Sequence, residues 1–137
     1  MKIKELEQLL SARHIKPTAM RLLVLEYLQQ QNAAVSLKEA EEAYEKADRI
    51  TLYRTLKTFE EKGLIHHIDD GSGATKYALC EEGCQCAPED LHVHFHCNSC
   101  QKTFCMPKVA IPAFQLPSRF NLQEINLMAK GICADCF

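Results

Sequence analysis

Histidines and cysteines with metal-ligand spacing are concentrated in one short stretch. His92, His94 and His96 alternate with other residues directly before a Cys-x-x-Cys pair, Cys97 and Cys100. Alternation with a period of two is strand geometry, so the three imidazoles should project from one face of a strand. A tight turn after that strand would bring the two thiols together. The stretch therefore predicts metal binding.

A second Cys-x-x-Cys pair follows much later in the chain, at Cys133 and Cys136. Two such pairs can supply four thiolates in a tetrahedron with no open position, which describes a structural zinc site. We expect Cys97, Cys100, Cys133 and Cys136 to form it and to fasten the last residues onto the histidine-rich strand. Free or disulfide-bonded cysteines are the alternative, but a cytoplasmic chain uses cysteine for metal or redox chemistry more often.

His92 and His94 are also candidates for a second, exchangeable metal site, because neutral imidazoles bind zinc, iron(II), nickel and copper alike. Such a site needs further ligands from elsewhere. His66 begins and Cys80 ends a two-strand segment that precedes the histidine-rich stretch, so both could reach a junction between the two halves of the chain. One thiolate with imidazoles in a tetrahedron favours zinc. Surface histidines are the alternative.

The remaining candidate ligands have weaker positional arguments. Cys84 and Cys86 could bind an additional metal or replace Cys80. We expect Cys105 to be an ordinary buried thiol on a strand. We expect His96 to be a supporting or surface group.

The elements that precede this metal-rich half have the pattern of a winged helix-turn-helix. Apolar residues recur at helical spacing over residues 2–13, 18–30, 36–46 and 51–62, and two β-prone runs at 64–68 and 75–79 flank a Gly-rich turn. Ser36-Leu37-Lys38-Glu39 is a capping box that should start the third helix, and Gly63 should end the fourth. Short helices followed by a hairpin predict the winged helix.

The fourth helix has the composition of a DNA-recognition helix. Its apolar face should anchor it to the core through Leu52, Leu56 and Phe59. The opposite face should carry hydroxyls and an arginine, from Thr51, Arg54, Thr55 and Thr58. Such groups suit base edges and phosphates in the major groove, and Tyr53 could stack on a sugar or a thymine methyl. Lys16 and Arg21 are candidate phosphate contacts. An ordinary amphipathic helix with a solvated face is the alternative.

The uneven distribution of cysteines along the 137 residues predicts two modules. All eight cysteines lie from Cys80 onward, which predicts a DNA-binding module at 1–80, a connector at 81–90 and a metal-binding module at 91–137. The net charge is −2, and residues 1–79 carry 12 basic and 12 acidic side chains. Any DNA contact must therefore come from a local basic face.

Three strands are predicted for the second module. Strands fit residues 92–97, 102–106 and about 122–130, with prolines between the last two.

No apolar run approaches the roughly 18 residues of a membrane span, and the first residues lack the apolar core of a signal peptide. We therefore expect a cytoplasmic protein with no membrane partner. A zinc hydrolase or thiol redox enzyme is an alternative, but no His-Glu-x-x-His or nucleophile–base motif supports it.

Several of these motifs together resemble the ferric uptake regulator family of metal-dependent transcriptional repressors. They are Lys16-Pro17-Thr18-Ala19-Met20-Arg21, Thr51-Leu52-Tyr53-Arg54-Thr55-Leu56, Gly63-Leu64-Ile65, His92-x-His94-x-x-Cys97-x-x-Cys100 and Cys133-x-x-Cys136. The resemblance implies an α+β chain, with a winged helix-turn-helix followed by a small α/β dimerisation domain that has a three-stranded antiparallel sheet and a four-cysteine zinc site. It also implies a homodimer that binds an AT-rich palindromic operator in double-stranded DNA, with Tyr53 and Arg54 as the DNA-contacting pair.

The regulatory ligands place the resemblance within the family. Iron and peroxide sensors of the family usually take a histidine from the loop before the third helix, and Asn32-Ala33-Ala34-Val35-Ser36 has none. The zinc-sensing branch, that of the zinc uptake regulators, tends to use a residue at the start of the wing and a cysteine at its end, as in His66 and Cys80. The resemblance thus implies zinc in the structural site and zinc in a regulatory site of His66, Cys80, His92 and His94. An iron(II) regulator, or one that responds to peroxide through its thiols, is the alternative.

Overall fold

The computed structural model describes residues 2–44, 48–79, 92–110, 112, 114–123, 125 and 127–137. The described residues form four helices: α1 (Lys2–Ala12), α2 (Ala19–Gln30), α3 (Leu37–Ala43) and α4 (Arg49–Glu61). They also form six strands: β1 (Val35–Ser36), β2 (Ile65–Asp69), β3 (Thr75–Leu79), β4 (His92–Cys97), β5 (Thr103–Ala110) and β6 (Met128–Gly131). We call residues 2–79 the first module and residues 92–137 the second module. The connector predicted at 81–90 lies outside the described residues, so that boundary stays a prediction.

Local sequence signals set the limits of the helices. The Ser36 side chain accepts a hydrogen bond from the Glu39 backbone N–H at 3.2 Å, and the Glu39 carboxylate accepts one from the Ser36 backbone in return, so the predicted capping box is confirmed. Gly63 has a φ of +76°, and the N–H groups of Gly63 and Leu64 close the end of α4 by bonding the carbonyls of Glu60 and Phe59. The third helix ends at Ala43, earlier than the expected residue 46.

The core of the first module is built from the apolar faces of the helices. It includes Leu6, Leu10, Leu25, Leu52, Leu56, Phe59 and Ile65, each at most 1% exposed. The strands β2 and β3 form the predicted wing hairpin in antiparallel register, and β1 pairs with the other edge of β3. Because α4 is fixed to this core by one face, its opposite face remains available at the surface.

The sheet of the second module is mixed rather than wholly antiparallel, which corrects the sequence expectation. Its strand order is β5-β4-β6, with β4 antiparallel to β5 and parallel to β6. A parallel neighbour requires a long crossover connection, and the residues between β5 and β6 supply one. The third strand is also shorter than the expected 122–130. The second strand is longer than expected and runs through Pro107, which an edge strand tolerates.

The two modules are in direct contact beside β5. The Ala34 backbone N–H, from the loop before β1, donates to the Thr103 carbonyl at 2.7 Å. Thr103 also donates its side-chain hydroxyl to Asp70 in the wing turn. Within the described part of the chain, no helix has the length and apolarity needed to cross a membrane.

Candidate metal centres and nucleic-acid interface

The four cysteines of the two Cys-x-x-Cys pairs come together as predicted. Their Sγ atoms all lie within 4.8 Å of one another, and Cys100 Sγ is 3.8 Å from Cys133 Sγ. Four thiolates around zinc at about 2.3 Å in a tetrahedron would be separated by about 3.8 Å. The sulfur positions therefore fit a tetrahedral zinc site in which thiolates take all four ligand positions. The two pairs meet because β6, which leads to Cys133, lies alongside β4, which leads to Cys97.

Backbone amides prepare this cluster for a cation. The N–H groups of Cys100 and Cys133 lie 3.4 Å from Cys97 Sγ, and that of Ser99 lies at 3.3 Å. Hydrogen bonds from Cys100 and then Cys133, with a smaller one from Ser99, lower the pKa of the Cys97 thiol to about 6 against the opposing effect of burial. A thiolate is the form that binds metal, so the fold favours the ligating state of Cys97 before any ion is bound.

The pKa of the Cys136 thiol is shifted in the opposite direction. A hydrogen bond from Ser99 acts to lower the pKa of the Cys136 thiol. The neighbouring thiol of Cys133 and burial outweigh it and raise that pKa to about 12. Four negative sulfurs cannot share so small a volume without a compensating charge. A divalent ion would supply that charge and release the remaining protons as it binds.

A second group of candidate ligands lies between the modules. His66 on β2, His94 on β4 and Cys105 on β5 place one ligand atom each within 4.8 Å of the others. His66 Nε2 lies 3.1 Å from Cys105 Sγ, and the two imidazole rings have centroids 5.5 Å apart. His94 is 6% exposed, while the other two are half-buried. We call these three residues the junction cluster.

Cys105 is the member of this cluster that the sequence analysis did not identify. It was expected to be an ordinary buried thiol, and its contact with His66 corrects that interpretation. The register offered a signal, because β4 and β5 form a hairpin around the first Cys-x-x-Cys turn. Such a hairpin places His94 directly opposite Cys105.

The structure does not describe the side chains of the other two predicted regulatory ligands, Cys80 and His92. Cys80 lies outside the described residues, as do Cys84 and Cys86. The backbone of His92 begins β4, and its side chain lies outside what the structure describes. The assignment of His92 to this site therefore stays a prediction from the sequence.

His96 is neither a surface group nor a member of the junction cluster. It is 5% exposed, and its Nδ1 lies 2.9 Å from Thr103 Oγ1 while its Nε2 lies 3.1 Å from Gln101 Oε1. The His96 side chain thus lies on the β4 face that carries His94 but supports the contact between the modules.

His67 follows His66 in the wing. Its side chain points to solvent beside Glu60, as the alternation of residues along β2 requires.

The predicted recognition helix exposes three of its predicted contact residues. Thr51, Tyr53 and Arg54 lie on the surface of α4, with Tyr53 44% exposed. Lys57, one turn further on, places its Nζ 5.8 Å from the centre of the Tyr53 ring. The hydroxyl, phenol and guanidinium groups therefore form one polar surface at the start of the helix. Such a surface can reach phosphates and base edges.

Thr55 was placed on this surface by the sequence analysis, and the structure corrects that placement. It is 6% exposed, and its hydroxyl donates to the Thr51 carbonyl at 2.9 Å. The buried residues of α4 are Leu52, Thr55, Leu56 and Phe59. Their i, i+3, i+4, i+7 spacing is that of a single helix face. Thr55 therefore shapes the helix rather than presenting a group to DNA.

The two predicted phosphate contacts lie at the start of α2. Lys16 is exposed, and Arg21 donates from Nη1 to the Lys16 carbonyl at 2.9 Å. The Thr18 side chain caps this helix by accepting from the Arg21 backbone N–H at 3.2 Å. The Arg21 guanidinium is thus held at the start of α2, next to the Lys16 backbone.

Comparison with known proteins gives a family and a set of relatives. The model of the ferric uptake regulator family matches residues 12–136. The zinc uptake regulation protein of Escherichia coli K12 is 28% identical over 142 aligned positions, which cover 98% of this chain and 80% of that protein. A zinc uptake regulator solved in complex with zinc and DNA has 25% identity and a TM-score of 0.67, with 98% of this chain and 91% of that one covered.

A more distant structure shows the same fold. The ferric uptake regulator of Vibrio cholerae has 22% identity and a TM-score of 0.61, and the match covers 93% of this chain and 98% of that one. The described helices, wing and small second sheet therefore form a known architecture.

Proposed function

The chain belongs to the ferric uptake regulator family of metal-dependent transcription regulators, and on that premise we propose that it is a zinc-sensing repressor. Members of the family are DNA-binding regulators rather than enzymes, so the hydrolase and redox-enzyme interpretation is wrong. The proposed repressor binds operator DNA as a homodimer when zinc occupies the junction cluster. It would act in the cytoplasm, where it meets DNA.

The junction cluster is the observation that carries this proposal. His66 belongs to the wing of the first module, whereas His94 and Cys105 belong to two strands of the second. A metal ion held by all three side chains would restrain the angle between the modules. In a dimer, that angle sets the distance between the two recognition helices, which must match two half-sites.

The donor set supports zinc over iron(II). Thiolate ligands are soft, and a thiolate with imidazoles is a common environment of tetrahedral zinc. The junction cluster contains one thiol and two imidazoles whose ligand atoms lie within 4.8 Å of one another. A tetrahedral ion needs one further ligand, for which His92 and Cys80 remain the proposed candidates. The zinc-binding relatives are consistent with this assignment.

The proposed DNA surface consists of the exposed end of α4 and the start of α2. Thr51, Tyr53 and Arg54 would contact the major groove, and Lys16 and Arg21 would contact phosphates. A related zinc uptake regulator was solved in complex with zinc and DNA, which supports DNA as the partner.

An apolar surface of the second module supports the proposed homodimer. Large apolar side chains between residues 109 and 132 are exposed: Val109, Phe114, Leu116, Phe120, Leu122, Leu127 and Ile132. A concentration of exposed large apolar side chains in one segment is typical of a protein–protein interface. Phe120→Glu should dissociate the dimer in sedimentation equilibrium. Ile3→Glu, at a similarly exposed site on α1, is the control that should not.

A titration of DNA binding against metal tests the function. Fluorescent AT-rich palindromic duplexes, selected from a randomised pool, would be titrated with protein at buffered free zinc and, anaerobically, at buffered iron(II). The proposal predicts tight binding only as zinc rises. Tight binding with iron(II) but not with zinc would move the protein to the iron-responsive branch.

Variants of the DNA surface test its residues separately from metal binding. Arg54→Ala should weaken DNA binding by about 1–3 kcal/mol and relax the base preference at the contacted position, with zinc content unchanged. Lys4→Ala, which removes an exposed cation of α1, is the matched control and should leave binding at the wild-type level. Equal losses in both variants would contradict the assignment.

A further inference from the structure

A buried polar network joins the wing to the second module beside the junction cluster. Its centre is the Asp70 carboxylate, which follows β2 in the wing turn and is 1% exposed. Oδ1 accepts from the Ser72 backbone N–H at 2.9 Å, and Oδ2 accepts from Lys76 Nζ at 3.1 Å. The same Oδ2 accepts the hydroxyl of Thr103, which belongs to the other module.

The network continues from Thr103 to the first Cys-x-x-Cys turn. His96 Nδ1 lies 2.9 Å from Thr103 Oγ1 and 3.4 Å from Asp70 Oδ2. His96 Nε2 lies 3.1 Å from Gln101 Oε1, and the Gln101 backbone N–H bonds the Cys97 carbonyl at 2.9 Å. A path of hydrogen bonds therefore connects the wing turn with the backbone of Cys97 in the four-cysteine cluster, and it passes through His96 and Thr103, which lie two residues from His94 and Cys105 along β4 and β5.

Because this path is buried, its hydrogen bonds stabilise one arrangement of the two modules relative to others. Asp70, Lys76, His96 and Thr103 are each at most 7% exposed. A carboxylate and an ammonium removed from water are costly unless every hydrogen bond is made. A small rotation of the wing away from Thr103 would break a charge-assisted bond and leave Asp70 incompletely satisfied. The network therefore resists intermediate angles between the modules.

We propose that Asp70 and Thr103 are positioning residues that transmit occupancy of the junction cluster to the wing and hence to operator binding. The inference rests on the proposed function. Asp70 and Thr103 lie outside both candidate metal centres and outside the proposed DNA surface. Their role is to make the wing move with β5, the strand that carries Cys105. In thermodynamic terms they contribute to the coupling between zinc and DNA.

Thr103→Val tests this proposal with a change of one group. Valine keeps the shape of threonine but loses the hydroxyl that Asp70 accepts, and the backbone contact with Ala34 is retained. The readout is the ratio of DNA dissociation constants without and with zinc at the junction cluster. Since a hydrogen bond to a charged group contributes roughly a tenfold effect or more, we expect this ratio to fall by about tenfold. Thr103→Ser, which keeps the hydroxyl, should retain it.

Amide exchange of the wing gives a second readout. In the wild-type chain, zinc should slow exchange of the Ser72 amide, which donates to Asp70, and Thr103→Val should abolish that effect. A wild-type coupling ratio in Thr103→Val would overturn the inference alone, as would equal losses in the valine and serine variants. Absence of zinc-dependent DNA binding in the wild-type chain would overturn the proposed function and the inference with it.

Discussion

Replacement of Cys105 by serine should weaken zinc binding at the junction cluster and leave the four-cysteine site loaded. The thiol lies 3.1 Å from His66 Nε2, and its ligand atom is within 4.8 Å of those of both histidines. Structural zinc sites with four ligands contribute about 10–16 kcal/mol, or roughly 2.5–4 kcal/mol per ligand. Serine is a much poorer ligand than a thiolate, so the affinity should fall by about 10²- to 10³-fold.

Competition with a chelator of known zinc affinity measures this change. Zinc in the four-cysteine site resists the chelator in both proteins and serves as an internal reference. Cobalt(II) substituted into the junction cluster adds a spectroscopic check, because a thiolate ligand produces a sulfur-to-cobalt charge-transfer band. That band should be present in the wild-type chain and clearly weaker in Cys105→Ser, and it should be absent there if His92 rather than Cys80 is the fourth ligand.

Cys80→Ser is the matched comparison, because Cys80 is the thiol predicted from sequence for the same site. If Cys80→Ser removes the cobalt band and Cys105→Ser leaves both band and affinity unchanged, the reasoning from the junction cluster is refuted. The contact between Cys105 and His66 would then have only a packing role.

Three further predictions concern stability. Asp70→Asn should cost about 3–5 kcal/mol at neutral pH, because it leaves buried Lys76 without its anion. Burial alone would raise the pKa of the Asp70 carboxyl, but hydrogen bonds from Ser72, Thr103 and Lys76 hold that pKa well below its usual range. Its stabilising contribution is therefore present above about pH 4 and lost as the pH falls further, so urea unfolding of wild type and Asp70→Asn should converge in acid. Phe59→Ala, at a site with 0% exposure, should destabilise by about 3–5 kcal/mol in the same assay, whereas Phe137→Ala should change little. Cys133→Ser should lose one zinc per chain by metal analysis and lower the thermal midpoint of the second module.

The first module was predictable because its signals are local. The capping box at Ser36 and the glycine stop at Gly63 act within one helical turn, and each is confirmed by its own hydrogen bonds. The wing strands follow from alternation and a Gly-rich turn. The four-cysteine cluster was predictable for a related reason, since two Cys-x-x-Cys turns admit few other arrangements.

What the sequence did not reveal depends on contacts between distant segments. Cys105 gains its partner only when the wing packs against the second sheet. The parallel pairing of β6 depends on how the crossover after β5 returns to β4. The roles of Asp70 and His96 likewise arise from packing between modules. Thr55 is different, because its helical spacing with Leu52 and Phe59 already indicated a buried position.

The most direct test of the account measures bound zinc and bound DNA in the same samples across a range of free zinc. The account predicts that the four-cysteine site fills first without DNA binding and that DNA binding appears with the next zinc equivalent. In His94→Ala, whose ligand atom lies in the junction cluster, that second step should shift to much higher free zinc. Full DNA binding with only the four-cysteine site loaded, or an unshifted second step in His94→Ala, would contradict the account.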